Sequence, residues 1–238
     1  MSGFFTLHRD LHRDLPREGP GGAADVIWAL AQLPVPGRVA DLACGPGVDL
    51  VTLAQALPKS VLPGIARQAH FVAAAQAQVA GFGARVTVVQ GDMAKPGGSH
   101  DLIWWAGAIY FPGIAAALGL WRAAPAPGGH VAFSLPVLLQ SPPGRIVEAF
   151  WQDEGEIATE AAIRAAVSGA GWREMATRVI VGAPWAAHYG PMAARIAALL
   201  PGADADLGSV LADGAGEVFL WQQEPGEIAC LLAVVAPE

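Results

Sequence analysis

Short apolar segments alternate with helix-length segments along most of this chain, and no other feature constrains its fold as strongly. Arg38–Leu42, Ser60–Ile65, Arg85–Val89, Asp101–Trp105 and His130–Ser134 each have the length and composition of a buried strand. Helical stretches of about ten residues or more separate them: 48–57, the alanine-rich 68–80, and 114–123. Strands spaced this way pair in parallel through right-handed crossovers. After a looser stretch through Pro142 and Pro143, helix 159–170 precedes strand 173–181. Helical segments 185–200 and 205–222 follow, and strand 228–235 closes the chain. The expectation is one domain spanning 1–238, an α/β, doubly wound, mostly parallel seven-stranded sheet. A helical insertion at 183–224 precedes its last strand, and residues 1–22 form a flexible N-terminal arm.

Composition supports a single large core, with 53% hydrophobic and only 15% charged residues. No apolar run reaches the roughly 18–20 residues of a membrane span, and the first twenty residues lack the apolar centre of a signal peptide. The net charge of −7, without a basic cluster, argues against nucleic acid as a partner. Two isolated cysteines, Cys44 and Cys230, suggest a reducing compartment, and the cytoplasm is the expected location. The arm contains a duplicated L-H-R-D, residues 7–10 and 11–14, which places His8 and His12 four apart. That segment has a poor helical pattern, so no metal site is expected.

The chemistry is concentrated in Val39–Leu50, which reads V-A-D-L-A-C-G-P-G-V-D-L. Gly45 and Gly47 carry the strand into a helix. Without a Cβ they let backbone N–H groups and a helix N-terminus approach a ligand. Asp41 ends the strand, at the sheet edge where open α/β folds bind ligands. The dinucleotide fingerprint G-x-G-x-x-G is not met, because Leu50 holds the third glycine position. A carboxylate ahead of the turn suits a cationic amino-acid ligand and repels a pyrophosphate. The bland alternative is a tight turn that merely needs two glycines.

Asp41-Leu42-Ala43-Cys44-Gly45-Pro46-Gly47 resembles the first motif of class I S-adenosylmethionine (SAM) methyltransferases, with Ala43 where glycine is commoner. Gln90-Gly91-Asp92-Met93 resembles their adenine-binding step, Asp101–Ala106 their fourth-strand motif, and Ala126–Gly129 the turn before their fifth strand. The resemblance covers about residues 38–134 and implies a Rossmann-like sheet with an antiparallel last strand and SAM as cofactor. It assigns cofactor binding to Asp41, Ala43, Gly45, Gly47, Ala66, Asp92, Met93 and Ala106. Through a similar bacterial N-terminal arm it adds Arg17, directed at the cofactor carboxylate.

One departure stands out. Ala66 ends the second strand where the family carries an acid that takes both ribose hydroxyls, and no acidic residue lies between Asp49 and Asp92. A hydrogen bond to a charged group is worth about 1.5–3 kcal/mol, so its loss implies roughly one to two decades of affinity. The expected function is SAM-dependent methyl transfer to a small-molecule acceptor, with weakened cofactor binding. The alternatives are an inactive methyltransferase-like binding or scaffold protein and, through Arg67 after the second strand, an NADP-binding oxidoreductase. Trp104, Trp105, Tyr110, Trp185, Tyr189 and Met192 either pack the core or line an apolar substrate pocket. His188, Tyr189 and Tyr110 are the acid–base or substrate-orienting candidates.

Overall fold

A computed structural model describes residues 10–238 apart from 96, 110, 111, 123, 152–156, 224 and 225. Seven strands form one sheet: β1 (Val39–Leu42), β2 (Leu62–Ala66), β3 (Val86–Gln90), β4 (His100–Ala106), β5 (Pro125–Leu138), β6 (Trp172–Ile180) and β7 (Ile228–Pro237). Their order is β3-β2-β1-β4-β5-β7-β6. Only β7 runs against the rest, pairing antiparallel with both β5 and β6. The expected parallel sheet with an antiparallel last strand is therefore present.

The helices are α1 (Ala23–Leu30), α2 (Val48–Ala56), α3 (Ala69–Val79), α4 (Ile114–Leu120), α5 (Arg145–Trp151), α6 (Glu160–Gly169), α7 (Ala183–Leu199) and α8 (Ala205–Gln223). They cover both faces of the sheet, so its strands are apolar on both sides. Trp104 and Trp105 show the consequence. Adjacent strand residues point to opposite faces, and each tryptophan is buried in a different core cluster. Trp185, Tyr189 and Met192 are core residues as well. The pocket reading of this aromatic group is corrected for those five; Tyr110 lies outside the described residues.

One further helix differs from the sequence reading, and one proline lies inside an expected strand. Helix α5 forms just after Pro142 and Pro143, a stretch expected to be loose, with Val147 almost fully buried. Pro63 sits inside β2, between two strands. Val61 and Ile65 turn their backbone groups toward β1: the Val61 N–H donates to Gly37, and Ile65 accepts from the Cys44 N–H. Residues two apart face the same way, so Pro63 also faces β1 and leaves one ladder donor out.

Over its described part the arm packs against the core. Residues 10–12 are helical, and Leu11 and Leu15 are buried in the larger core cluster. Leu11 meets α8 at Gly214, where an added Cβ would stand 2.9 Å from its Cδ2. Arg195 of α7 donates from Nε and Nη2 to the Asp10 carbonyl at 3.2 and 3.0 Å. The helical insertion and the arm thus hold each other against the carboxyl edge of the sheet. Asp14, at φ 66°, ends the helical turn before Leu15, so the two leucines enter the core from either side of a bend.

Candidate functional site

Strand order reverses between β1 and β4, and open α/β sheets bind ligands at the carboxyl ends beside such a switch point. The chain leaves β1 there through a turn with three residues in left-handed conformation: Ala43 at φ 60°, Gly45 at φ 52° and Gly47 at φ 91°. Gly47 is also where α2 meets α3. A Cβ added to it would stand 2.8 Å from the Ala75 Cβ and 3.0 Å from its Cα. Gly47→Ala combines left-handed strain of about 1–2 kcal/mol with overpacking of about 1–3 kcal/mol. A loss of roughly 2–5 kcal/mol in urea unfolding is expected; a loss below 1 kcal/mol would mean that the two helices separate freely.

Asp41 is 2% exposed, and its Oδ2 accepts no hydrogen bond from any described residue. Burial pushes its carboxyl well above the ordinary carboxylate range; the nearby Asp49 charge raises it further, and Arg17 partly offsets both. A buried acceptor without a donor is uncommon in folded chains and marks a place for a ligand donor.

Arg17 arrives from the arm and forms a two-pronged ion pair with Asp49 in the first turn of α2; its Nη2 stands 2.8 Å from Oδ2. The Trp104 indole donates to the same Oδ2 at 3.0 Å. Burial alone would lower the Arg17 pKa, but Asp49 outweighs it, so the guanidinium stays charged. The arm therefore crosses the glycine turn. Glu18 lies over it, with Cγ 3.3 Å from where a Cβ on Gly45 would stand, and its Oε2 pairs with His12 Nδ1 at 2.8 Å. His8 lies outside the described residues, and His12 serves this carboxylate.

The second and third strands bring the adenine-side candidates. Ala66 is buried at the end of β2, and its carbonyl accepts from the Gly91 N–H at 3.0 Å. It offers a methyl group where an acid was absent from the sequence. Asp92 is exposed, and its Oδ1 accepts from the Ala94 N–H at 2.9 Å. Met93 packs against the core cluster that contains Ile65 and Trp105, and its carbonyl accepts from the Trp121 indole. Ala106 ends β4 opposite Ser134, whose hydroxyl accepts from the Gly107 N–H at 3.0 Å.

Of the acid–base candidates, His188 is connected to this cluster. Its Nδ1 stands 3.3 Å from the Arg17 carbonyl oxygen. A carbonyl only accepts, so Nδ1 carries the proton and Nε2 keeps its lone pair. Burial is the main cause that brings the His188 pKa down to about 4, so the ring is neutral at physiological pH. Tyr189 packs among Trp185, His188 and Trp221, with ring centroids 4.9–5.8 Å away. A cavity of about 470 Å³ lies elsewhere, among Leu139, Gln140, Thr159, Arg164 and Val179. None of these groups lines it.

Sequence reasoning missed Glu18 and Asp49 as site residues. Asp49 stood in the quoted motif, two places beyond Gly47. Glu18 followed Arg17 directly, and its role depends on the arm folding back.

Residues 39–129 match the family model described as a methyltransferase domain. The sheet order is that of the Rossmann-like methyltransferase fold, and the matched segment is similar to its cofactor-side half. Among curated proteins it is similar to the trans-aconitate 2-methyltransferase of Streptomyces avermitilis, 31% identical over 141 residues, 55% of this chain and 52% of the relative. It thus spans about half the length of that relative. Its fold is that of a SAM-dependent methyltransferase from Geobacter sulfurreducens in complex with S-adenosyl-L-homocysteine, with a TM-score of 0.81 and 20% identity over 99% of this chain and 98% of that one. A SAM-dependent methyltransferase from Thiobacillus denitrificans, in the same kind of complex, also gives a TM-score of 0.81, at 18% identity over 97% of each chain.

Proposed function

We propose that this protein transfers a methyl group from SAM to a small-molecule acceptor. The carrying observation is the buried Asp41 Oδ2, without a donor, beside a left-handed glycine turn at the switch point. It is an acceptor suited to the ammonium of an amino-acid tail. The match of residues 39–129 to a methyltransferase domain, and the S-adenosylhomocysteine named with two structures of the same fold, support this choice of ligand. A small acceptor is supported by the net negative charge, which disfavours nucleic acid, and by the substrate named for the curated relative.

Asp41 holds the ammonium, and the Gly45 N–H faces the tail, since the Cys44 and Gly47 N–H groups are taken by the Ile65 and Cys44 carbonyls. Arg17 contributes positive charge toward its carboxylate while bound to Asp49. Met93 packs on the adenine, Asp92 accepts from its amino group, and Ala66 and Ala106 border the nucleoside. When bound, SAM supplies a methyl carbon already activated by its sulfonium, so the protein's work is alignment and exclusion of water. Neutral His188, with Nδ1 held by Arg17, is the proton acceptor for an acceptor that must lose one. Tyr189 keeps that ring in place, and Tyr110 is retained as a substrate-orienting candidate.

Ala66 favours a second reading, a methyltransferase-like binding protein with weak or lost catalysis. Calorimetric titration with SAM and S-adenosylhomocysteine separates the two. Micromolar affinity supports the enzyme, whereas no heat at millimolar ligand supports the scaffold. Ala66→Asp is expected to raise affinity by about tenfold or more. Unchanged affinity would show either that the ribose does not sit at the end of β2 or that another carboxylate already takes its hydroxyls.

A further inference from the structure

The arm offers one group that the methyl-transfer reading has not used. Glu18 is held by His12 through Oε2, while its Oε1 is buried and accepts no hydrogen bond from any described residue. Its position is built. Leu11 and Leu15 bury the arm, Arg195 grips the Asp10 carbonyl, and Arg17 next to Glu18 is locked to Asp49. Among the described residues the glycine turn is therefore flanked by two carboxylate oxygens without donors, Asp41 Oδ2 at the strand end and Glu18 Oε1 above Gly45.

A ligand seated on this turn satisfies both only if it brings two separate sets of donors. A nucleoside with an amino-acid tail has two: the ammonium and the vicinal hydroxyls of the sugar. Asp41 lies within the charge field of Arg17, which suits the end of the ligand where ammonium and carboxylate adjoin. The hydroxyls are left for the other oxygen, and β2 ends in a methyl group at Ala66 that cannot take them. The geometry points to Glu18 as the carboxylate that binds the vicinal diol, brought from the arm in place of the acid missing from β2. This rests on the reading of the ligand as SAM. It makes arm packing a condition of cofactor binding, because Glu18 reaches the turn only while the arm is seated.

The test is calorimetry on the full chain with S-adenosylhomocysteine and with 5′-methylthioadenosine, which keeps the nucleoside and lacks the amino-acid tail. Wild type, Glu18→Gln and the double variant Glu18→Gln with Ala66→Asp are compared, with melting curves for each. Glu18→Gln is expected to weaken both ligands about tenfold or more, and Ala66→Asp on top of it to recover most of the loss. Wild-type affinity in Glu18→Gln overturns the assignment. So does a loss confined to S-adenosylhomocysteine, which would give Glu18 to the amine, or a loss that Ala66→Asp does not recover. Binding of neither ligand to the wild type overturns the SAM reading itself and this assignment with it.

Discussion

Asp41→Asn is expected to abolish useful cofactor binding while leaving the protein more stable at neutral pH. Removing one partner of a buried, hydrogen-bonded charge pair costs about 2–5 kcal/mol, a fall in S-adenosylhomocysteine affinity of roughly 30-fold to several thousand-fold. The stability effect has the opposite sign. The Asp41 carboxyl is raised well above its ordinary value of 3.8, first by burial and then by the Asp49 charge. The native chain therefore keeps this proton at pH values where the unfolded chain has released it. Stability from this group is complete below the unfolded pKa and is lost as pH rises toward the folded one. Asparagine is neutral throughout, so the variant escapes that loss. Melting curves of the two proteins should separate as pH rises from about 4 toward neutrality, with wild type falling behind.

The same proton links ligand binding to pH. An ammonium pairs with Asp41 only as a carboxylate, so binding releases a proton wherever the free protein holds one there. Affinity then rises with pH, by at most about tenfold per unit for a single proton, until Asp41 is ionised in the free protein. Calorimetry in buffers of different ionisation enthalpy counts the proton directly. An Asp41→Asn protein that binds S-adenosylhomocysteine as tightly as wild type, or a wild type that binds without releasing a proton, would remove Asp41 from the amine.

The parts of the fold set by local pattern were legible in the sequence. β1, the Gly45–Gly47 turn and α2 follow from an apolar run, two glycines and a helical stretch, and they appear within a residue or two of expectation. The crossover rule then gave the parallel strands. What stayed hidden depended on non-local contact. Whether Trp104 and Trp105 line a pocket or pack a core is decided by helices that follow β4 by many residues or precede it. Glu18 carries no motif; it becomes a candidate because Leu11 and Leu15 bury the arm against the insertion. A single polar turn is marginal by itself, and its burial depends on contacts with α7 and α8 that no local pattern announces.

The Arg17–Asp49 pair is where arm, turn and core meet, and breaking it should have the largest effect on folding. Side-chain exposures of 17% and 9% remove most of the screening that makes surface pairs weak. Arg17→Ala leaves the Asp49 carboxylate buried with the Trp104 indole as its remaining side-chain donor among the described residues. Asp49→Ala leaves a buried guanidinium whose Nε already lacks a hydrogen bond among the described residues. Each is expected to cost about 3–5 kcal/mol in urea unfolding, because an uncompensated charge remains in an apolar site. Replacing both, as Arg17→Met with Asp49→Leu, should cost far less than the sum of the two, since no charge is left stranded. Single variants that each lose under 1 kcal/mol, or losses that simply add, would mean that water reaches the pair. The arm would then rest on its leucines alone, and Glu18 would have no fixed place above Gly45.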